Sequence, residues 1–217
     1  MIALAFALFA AAQSGGGAVP MDYTPTPWPD PERERDGAIS KADPKARQTM
    51  ALFADCVVDT SPVKVTDVLT RDFRTSEYRN GLRNLARANE GCGKRLGIRD
   101  ETLRSSNLPF AAALAEAMMA RNAAPLKIRI AKAASGKEAA TFAPSDKVAM
   151  CVARSAPDDV AGLLATVPGS DAETTAANGL LPVARLCGPD LKLESSVAGL
   201  RSIIATATFR LLAAQES

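Results

Sequence analysis

The chain has 217 residues, of which 47% are hydrophobic but only 5% aromatic, and its formal charge is +2. It contains no histidine, which excludes Ser-His-Asp and Cys-His nucleophiles and every His-ligated metal or haem site. A charge this close to balance also argues against nucleic acid as a partner, because such proteins present a strongly basic face.

The first twelve residues, "MIALAFALFAAA", are apolar and uncharged. The run is too short to cross a bilayer, which takes about 20 residues. It has the length of a signal-peptide core, and Ala10-Ala11-Ala12 fits small-x-small cleavage, although no Lys or Arg precedes it. Residues 1–12 are therefore read as a signal peptide, and no later stretch is long and apolar enough for a transmembrane segment in the mature chain. Residues 13–44 follow with Pro20, Pro25, Pro27, Pro29 and Pro31. Proline at alternate positions suits neither a helix interior nor a sheet ladder, so this part reads as an extended, flexible arm. Trp28, the single tryptophan, lies within it. It reads as an anchor folded back on the domain or a bystander, rather than as the centre of a Pro-rich ligand for an aromatic groove.

Beyond the arm the chain repeats itself. Cys56 and Cys92 have the same spacing as Cys151 and Cys187, and an offset of 95 brings Val57 onto Val152, Pro62 onto Pro157 and Val65 onto Val160. Leu69, Leu85 and Gly93 likewise meet Leu164, Leu180 and Gly188. A slip of two then aligns "LRSS" at 103–106 with "LRSI" at 200–203. The expectation is two tandem diverged helical repeats, 45–121 and 147–217, joined by a linker at 122–146.

Each repeat should hold about four helices. Met50, Phe53, Ala54 and Val57 recur at helical spacing, marking a first helix over about 46–59. Ser61-Pro62 and Ala156-Pro157 open a second, with proline early, where its missing N–H does no harm. Its apolar face is Val65, Val68 and Leu69 in one repeat and Val160, Leu163 and Leu164 in the other. The third runs from about Ser76 through Tyr78, Leu82 and Leu85. In the other repeat it starts at a capping box, Ser170 with Glu173, and Pro182 should kink or shorten it. "LPFAAALAEAMMA" at 108–120 and "VAGLRSIIATATFRLLAA" at 197–214 close the repeats. In the linker, "LKIRI" alternates apolar and basic residues, which suggests a short strand or a loop. The fold class expected is all-α.

Four cysteines in an exported chain point to two disulfides. Pairing Cys56 with Cys92 and Cys151 with Cys187 is the one connectivity that treats both repeats alike, joining the end of the first helix to the end of the third. The spacings are far longer than those of four-cysteine zinc sites, and neither "CGK" nor "CGP" has the second cysteine of a redox C-x-x-C, so structural bonds are favoured over metal or redox roles.

Between 62 and 104 basic residues outnumber acidic ones, ten to six. Arg79, Arg83 and Arg87 step by four and should form one ridge on a helix, a possible surface for an anionic partner against the ordinary alternative of a solvated face. The same stripe in the second repeat is Thr174, Asn178 and Pro182, without charge. Asp158-Asp159, Asp100-Glu101 and Asp171-Glu173 fall where helices should start and complement the helix dipole there. No catalytic, cofactor-binding or metal-ligating residue stands out, and no cofactor is expected.

The pattern "CVV…SP…V..VL…L…C" followed by "LRSSNLPFAAALAEAMM" resembles small, Ala- and Arg-rich exported proteins of alphaproteobacteria, especially sphingomonads, over about 46–215. The resemblance implies a signal peptide and this cysteine-containing helical unit, and no activity. The functional expectation is a non-enzymatic binding or structural protein of the periplasm or cell envelope, or secreted, whose partner would be an envelope protein or an anionic envelope surface. The alternative is a hydrolase using Asp/Glu on cell-wall glycan, which needs two carboxyl groups facing each other across a cleft.

Overall fold

A computed structural model of the chain describes residues 43–97, 106–189 and 196–215, which all lie within one unit, Pro31–Ser217. Among the described residues there are ten helices and no strand: α1 (Pro44–Thr60), α2 (Pro62–Leu69), α3 (Ser76–Ala88), α4 (Glu90–Arg95), α5 (Asn107–Ala120), α6 (Leu126–Ala134), α7 (Pro144–Ser155), α8 (Pro157–Leu164), α9 (Asp171–Cys187) and α10 (Val197–Ala213). The expected signal peptide, nearly all of the arm with Trp28, and Asp100-Glu101 lie outside the described residues.

Two of these helices are apolar on all sides, and such a helix must be covered all round. They are α5 and α10, and they pack extensively against each other at the centre. Leu114, Ile204 and Leu211 there are fully buried, each contributing about 1.5–3 kcal/mol of transfer free energy. The other helices, apart from the short α4, have a single apolar stripe and lie on this pair, while α4 packs on α1. α1 covers α5 through Met50, Phe53, Ala54 and Val57, with the Phe53 and Phe110 rings 5.8 Å apart. α7 covers α10 in the same manner through Val148, Ala149 and Val152.

The connections follow from local chemistry. Asp43 caps α1 by accepting from the Lys45 N–H, with Pro44 in the first turn. Ser61 and Ala156 are one-residue elbows. Each donates its N–H back to the preceding helix, to Val57 O and Val152 O, and is followed by a proline that cannot continue that helix. Thr75 Oγ1 accepts from the Tyr78 N–H to start α3, and Ser170 Oγ accepts from the Glu173 N–H to start α9.

Several expectations need correction. The "LKIRI" stretch is neither strand nor loop but the start of α6, and α7 begins at Pro144, inside the expected linker. Helical spacing buries Ile130 and Ala133 and half-buries Leu126, while Ile128, which a strand would place beside them, stays exposed. Pro182 does not shorten α9. The C=O it leaves without an N–H partner is that of Asn178, and both residues are exposed, so water can serve it. Cys92 is not at the end of α3 but in a separate short helix, α4, after a break at Asn89. The first helix starts at Pro44, the residue taken as the last of the arm.

Candidate functional site

Tyr78, Leu82 and Leu85 bury one face of α3. That turns Arg79, Arg83 and Arg87 outward, and all three are exposed. Arg79 Nη1 donates to Arg74 O at 2.9 Å and Arg83 Nη1 to Asn80 Oδ1 at 3.2 Å. None of the three forms an ion pair among the described residues, whereas Arg71 pairs with Asp67 at 2.6 Å and Arg74 with Asp72 at 2.7 Å. Glu77 in the first turn of α3 and Glu90 in that of α4 are the acidic residues nearest in sequence. Thr174, Asn178 and Pro182 on α9 are exposed and uncharged, so the basic stripe is confined to one half of the chain.

The cysteines form two disulfides, Cys56–Cys92 and Cys151–Cys187, each across 36 residues, with Cα atoms 5.8 and 5.7 Å apart. In the chain-entropy picture, closing a loop of this length stabilises by about 3–4 kcal/mol. Cys56 and Cys92 line an open, shallow pocket together with Asp59, Thr60, Arg95 and Leu96. Arg95 Nη2 lies 2.9 Å from Cys56 Sγ and 3.6 Å from Cys92 Sγ. Asp59 is engaged by Arg121.

Sequence reasoning missed two buried polar clusters. In the first, Arg201 of α10 is nearly enclosed. Its Nε and Nη2 donate to the two carboxylate oxygens of Glu116 on α5, at 2.9 and 2.7 Å. Its Nη1 donates to Thr166 Oγ1 at 2.9 Å and to Glu173 Oε1 at 3.3 Å, and backbone carbonyls of Leu163, Leu164 and Thr166 complete the set. Glu173, 1% exposed, also accepts both guanidinium branches of Arg47 on α1, at 2.6 and 2.5 Å, and the Gly169 N–H at 2.8 Å. Glu173 thus serves only half of the expected capping box: Ser170 caps it, but its carboxylate turns inward instead of returning to Ser170. Burial pushes its carboxyl up, but the hydrogen bonds from Arg47 and Gly169 and the charges of Arg47 and Arg201 outweigh that and hold it below its ordinary value.

In the second cluster Arg210 of α10 pairs with buried Asp146 of α7, whose other oxygen accepts the Phe142 N–H at 2.9 Å. The guanidinium lies 5.8 Å from the Phe73 ring and 5.6 Å from the Phe142 ring, and those rings meet edge to face. Burial, with Asp146 adding to it and Arg210 opposing, pushes the Tyr78 phenol up to about 12.

The signal for both clusters was present in "VAGLRSIIATATFRLLAA", since a lone cation within an apolar run is buried only when paired. Glu116 and Glu173 converge on one guanidinium, which makes them ion-pair acceptors, and Asp158 and Asp159 sit in the first turn of α8. No protein-family model, curated protein or solved structure matches the chain.

Proposed function

We propose that the protein is a non-enzymatic binding protein of the periplasm or cell envelope, and that the Arg79, Arg83, Arg87 face of α3 meets an anionic envelope surface. One observation carries the reading. Arg47, Arg71, Arg74, Arg121, Arg201 and Arg210 hold carboxylates and Arg95, Arg154 and Arg185 stand singly without one, while Arg79, Arg83 and Arg87 bring three exposed guanidinium groups without a carboxylate onto one helix face among the described residues. Location outside the cytoplasm is supported by the two disulfides and by the apolar run at residues 1–12. Descent of the two halves from one duplicated unit is supported by the shared offset of 95 and by the matching elbows at Ser61 and Ala156.

The test is co-sedimentation with phosphatidylglycerol vesicles. Binding should weaken steeply between low and high salt, because exposed charges are screened over about 10 Å at 0.1 M. Arg83→Glu should weaken it further, and neutral phosphatidylcholine vesicles should not compete. Salt-independent binding, or undiminished binding of Arg83→Glu, removes this face from the account.

A further inference from the structure

The two disulfides differ in what stands beside the sulfur atoms. At Cys56–Cys92 the Arg95 guanidinium reaches both, 2.9 Å from Cys56 Sγ and 3.6 Å from Cys92 Sγ. At Cys151–Cys187 the neighbour is the Ser155 hydroxyl, 3.9 Å from Cys151 Sγ, and no cation donates to either sulfur among the described residues. The sequence repeats the contrast: Cys92-Gly93 is followed by Lys94-Arg95, and Cys187-Gly188 by Pro189-Asp190. A cation beside a sulfur favours the thiolate over the thiol, and a leaving thiolate of low basicity departs faster.

The supporting structure differs too. Cys187 ends the long helix α9, which is seated in the core by Leu180 and Ala184. Cys92 sits in the six-residue α4 between Gly91 and Gly93, residues that cost helix stability, and α4 packs mainly on α1. The first disulfide opens on the pocket shared with Asp59, Thr60 and Leu96, where Cys56 is half-buried and Cys92 is enclosed, whereas Cys151 and Cys187 are both half-buried, so Arg95 and the short α4, not exposure, set the first bond apart. An attacking group therefore meets Cys56 first.

We propose that Cys56–Cys92 is a thiol–disulfide exchange site for a low-molecular-weight thiol, while Cys151–Cys187 is a structural staple. The thiolate of the small thiol attacks Cys56 Sγ. A new S–S bond forms there, the Cys56–Cys92 bond breaks, and its electron pair leaves on Cys92 as a thiolate beside Arg95. A second thiolate attacks the sulfur of the small thiol in that mixed disulfide. It releases the symmetrical small disulfide and leaves Cys56 and Cys92 reduced, so that two thiols are oxidised as one cystine is reduced. Arg95 acts twice, attracting the incoming anion to the pocket and stabilising the outgoing one.

The experiment uses the oxidised full chain with reduced glutathione as probe, alkylation quenching at timed intervals, and peptide mass mapping. Cys56–Cys92 should open about tenfold faster than Cys151–Cys187, with the glutathione adduct on Cys56. Arg95→Gln should erase most of that advantage without changing the rate at Cys151–Cys187, and Arg95→Lys should retain most of it. Arg95 is exposed and, among the described residues, its side chain donates only to the two disulfide sulfurs, so neither variant should alter the fold, and the unchanged Cys151–Cys187 rate verifies this within the same sample. Equal rates at the two disulfides, an adduct on Cys92, or an Arg95→Gln rate equal to wild type would overturn the proposal.

Discussion

The start of α1 meets the start of α9, and the approach to α7 meets the start of α3. These places correspond under the offset of 95: Arg47 stands where Phe142 does, Glu173 where Tyr78 does, and Pro168 where Phe73 does. One is held by charge, with Glu173 between Arg47 and Arg201, and the other by a single guanidinium over two rings. The chemistry is different and so is the redundancy. Glu173 has two cations and a backbone N–H, and Glu116 retains some contact with water. Asp146 has one cation and one N–H and is almost wholly enclosed. A cluster with several routes to charge balance should tolerate the loss of one member better than a cluster with a single route.

The largest effect should therefore come from Arg210. Arg210→Met leaves Asp146 buried without a cation, a situation that costs about 3–5 kcal/mol. Urea unfolding measures it. The double change Arg210→Met with Asp146→Leu removes the orphaned charge and should recover most of the loss. A double variant no more stable than the single one would assign the cost to lost ring packing instead.

Next comes the loop that feeds α9. Gly169 has a φ of +85°, and a Cβ there would lie 2.5 Å from Pro44 Cβ and 2.8 Å from Pro44 Cα. Gly169→Ala should cost about 1–3 kcal/mol, from strain and from pushing α1 off the loop. At the corresponding position of the other cluster stands Arg74, in an ordinary conformation, and Arg74→Ala should leave the unfolding midpoint unchanged.

Much of this architecture is legible in the sequence, because helix stripes and caps are local. Met50, Phe53, Ala54 and Val57 announce the buried face of α1 within one short window, and Thr75 and Ser170 sit next to the N–H groups they cap. The "LKIRI" alternation misleads because five residues sample too little of either period, and only the position of Ala133, further along, distinguishes them. The clusters are not legible as pairings. Glu116 and Arg201 are 85 residues apart and Arg47 and Glu173 are 126 apart, so the sequence can say that Arg201 needs a partner but not which one. Arg95 beside the first disulfide is hidden in the same way from Cys56, 39 residues away.

The clusters should also fail at opposite ends of the pH scale. The Glu173 carboxyl is held below its ordinary value, so its contribution is complete above the unfolded value of about 4.3 and is lost as pH falls through the folded one. Glu173→Gln should cost about 1–2 kcal/mol near neutrality, with the gap to wild type constant from about pH 7 to 5 and closing below about 4. Tyr78 runs the other way. Its phenol is pushed up to about 12, so its contribution is present below the unfolded value of about 10 and is lost as pH rises through 12. Tyr78→Phe should flatten the alkaline limb and leave the acid limb alone. A pH-stability profile in which either variant changes the opposite limb would dissolve the distinction.

The smallest effect isolates redundancy itself. Arg47 is the outer of the two cations on Glu173, with 18% of its side chain exposed, and Arg201 stays in place when it is removed. Arg47→Ala takes away two hydrogen bonds to Glu173 but leaves the Gly169 N–H, the Arg201 charge, and access for water where the guanidinium stood. The cost at neutral pH should be about 1 kcal/mol, well below that of Arg210→Met. The acid limb should nevertheless move. Arg47 holds the Glu173 carboxyl down through both its hydrogen bonds and its charge, so without it the carboxyl rises toward its ordinary value while burial continues to push upward. The stability that Glu173 contributes should then begin to disappear at a higher pH than in the wild type. A loss at neutral pH as large as that of Arg210→Met would show that Arg201 alone cannot hold Glu173, and that the first cluster is as singly routed as the second.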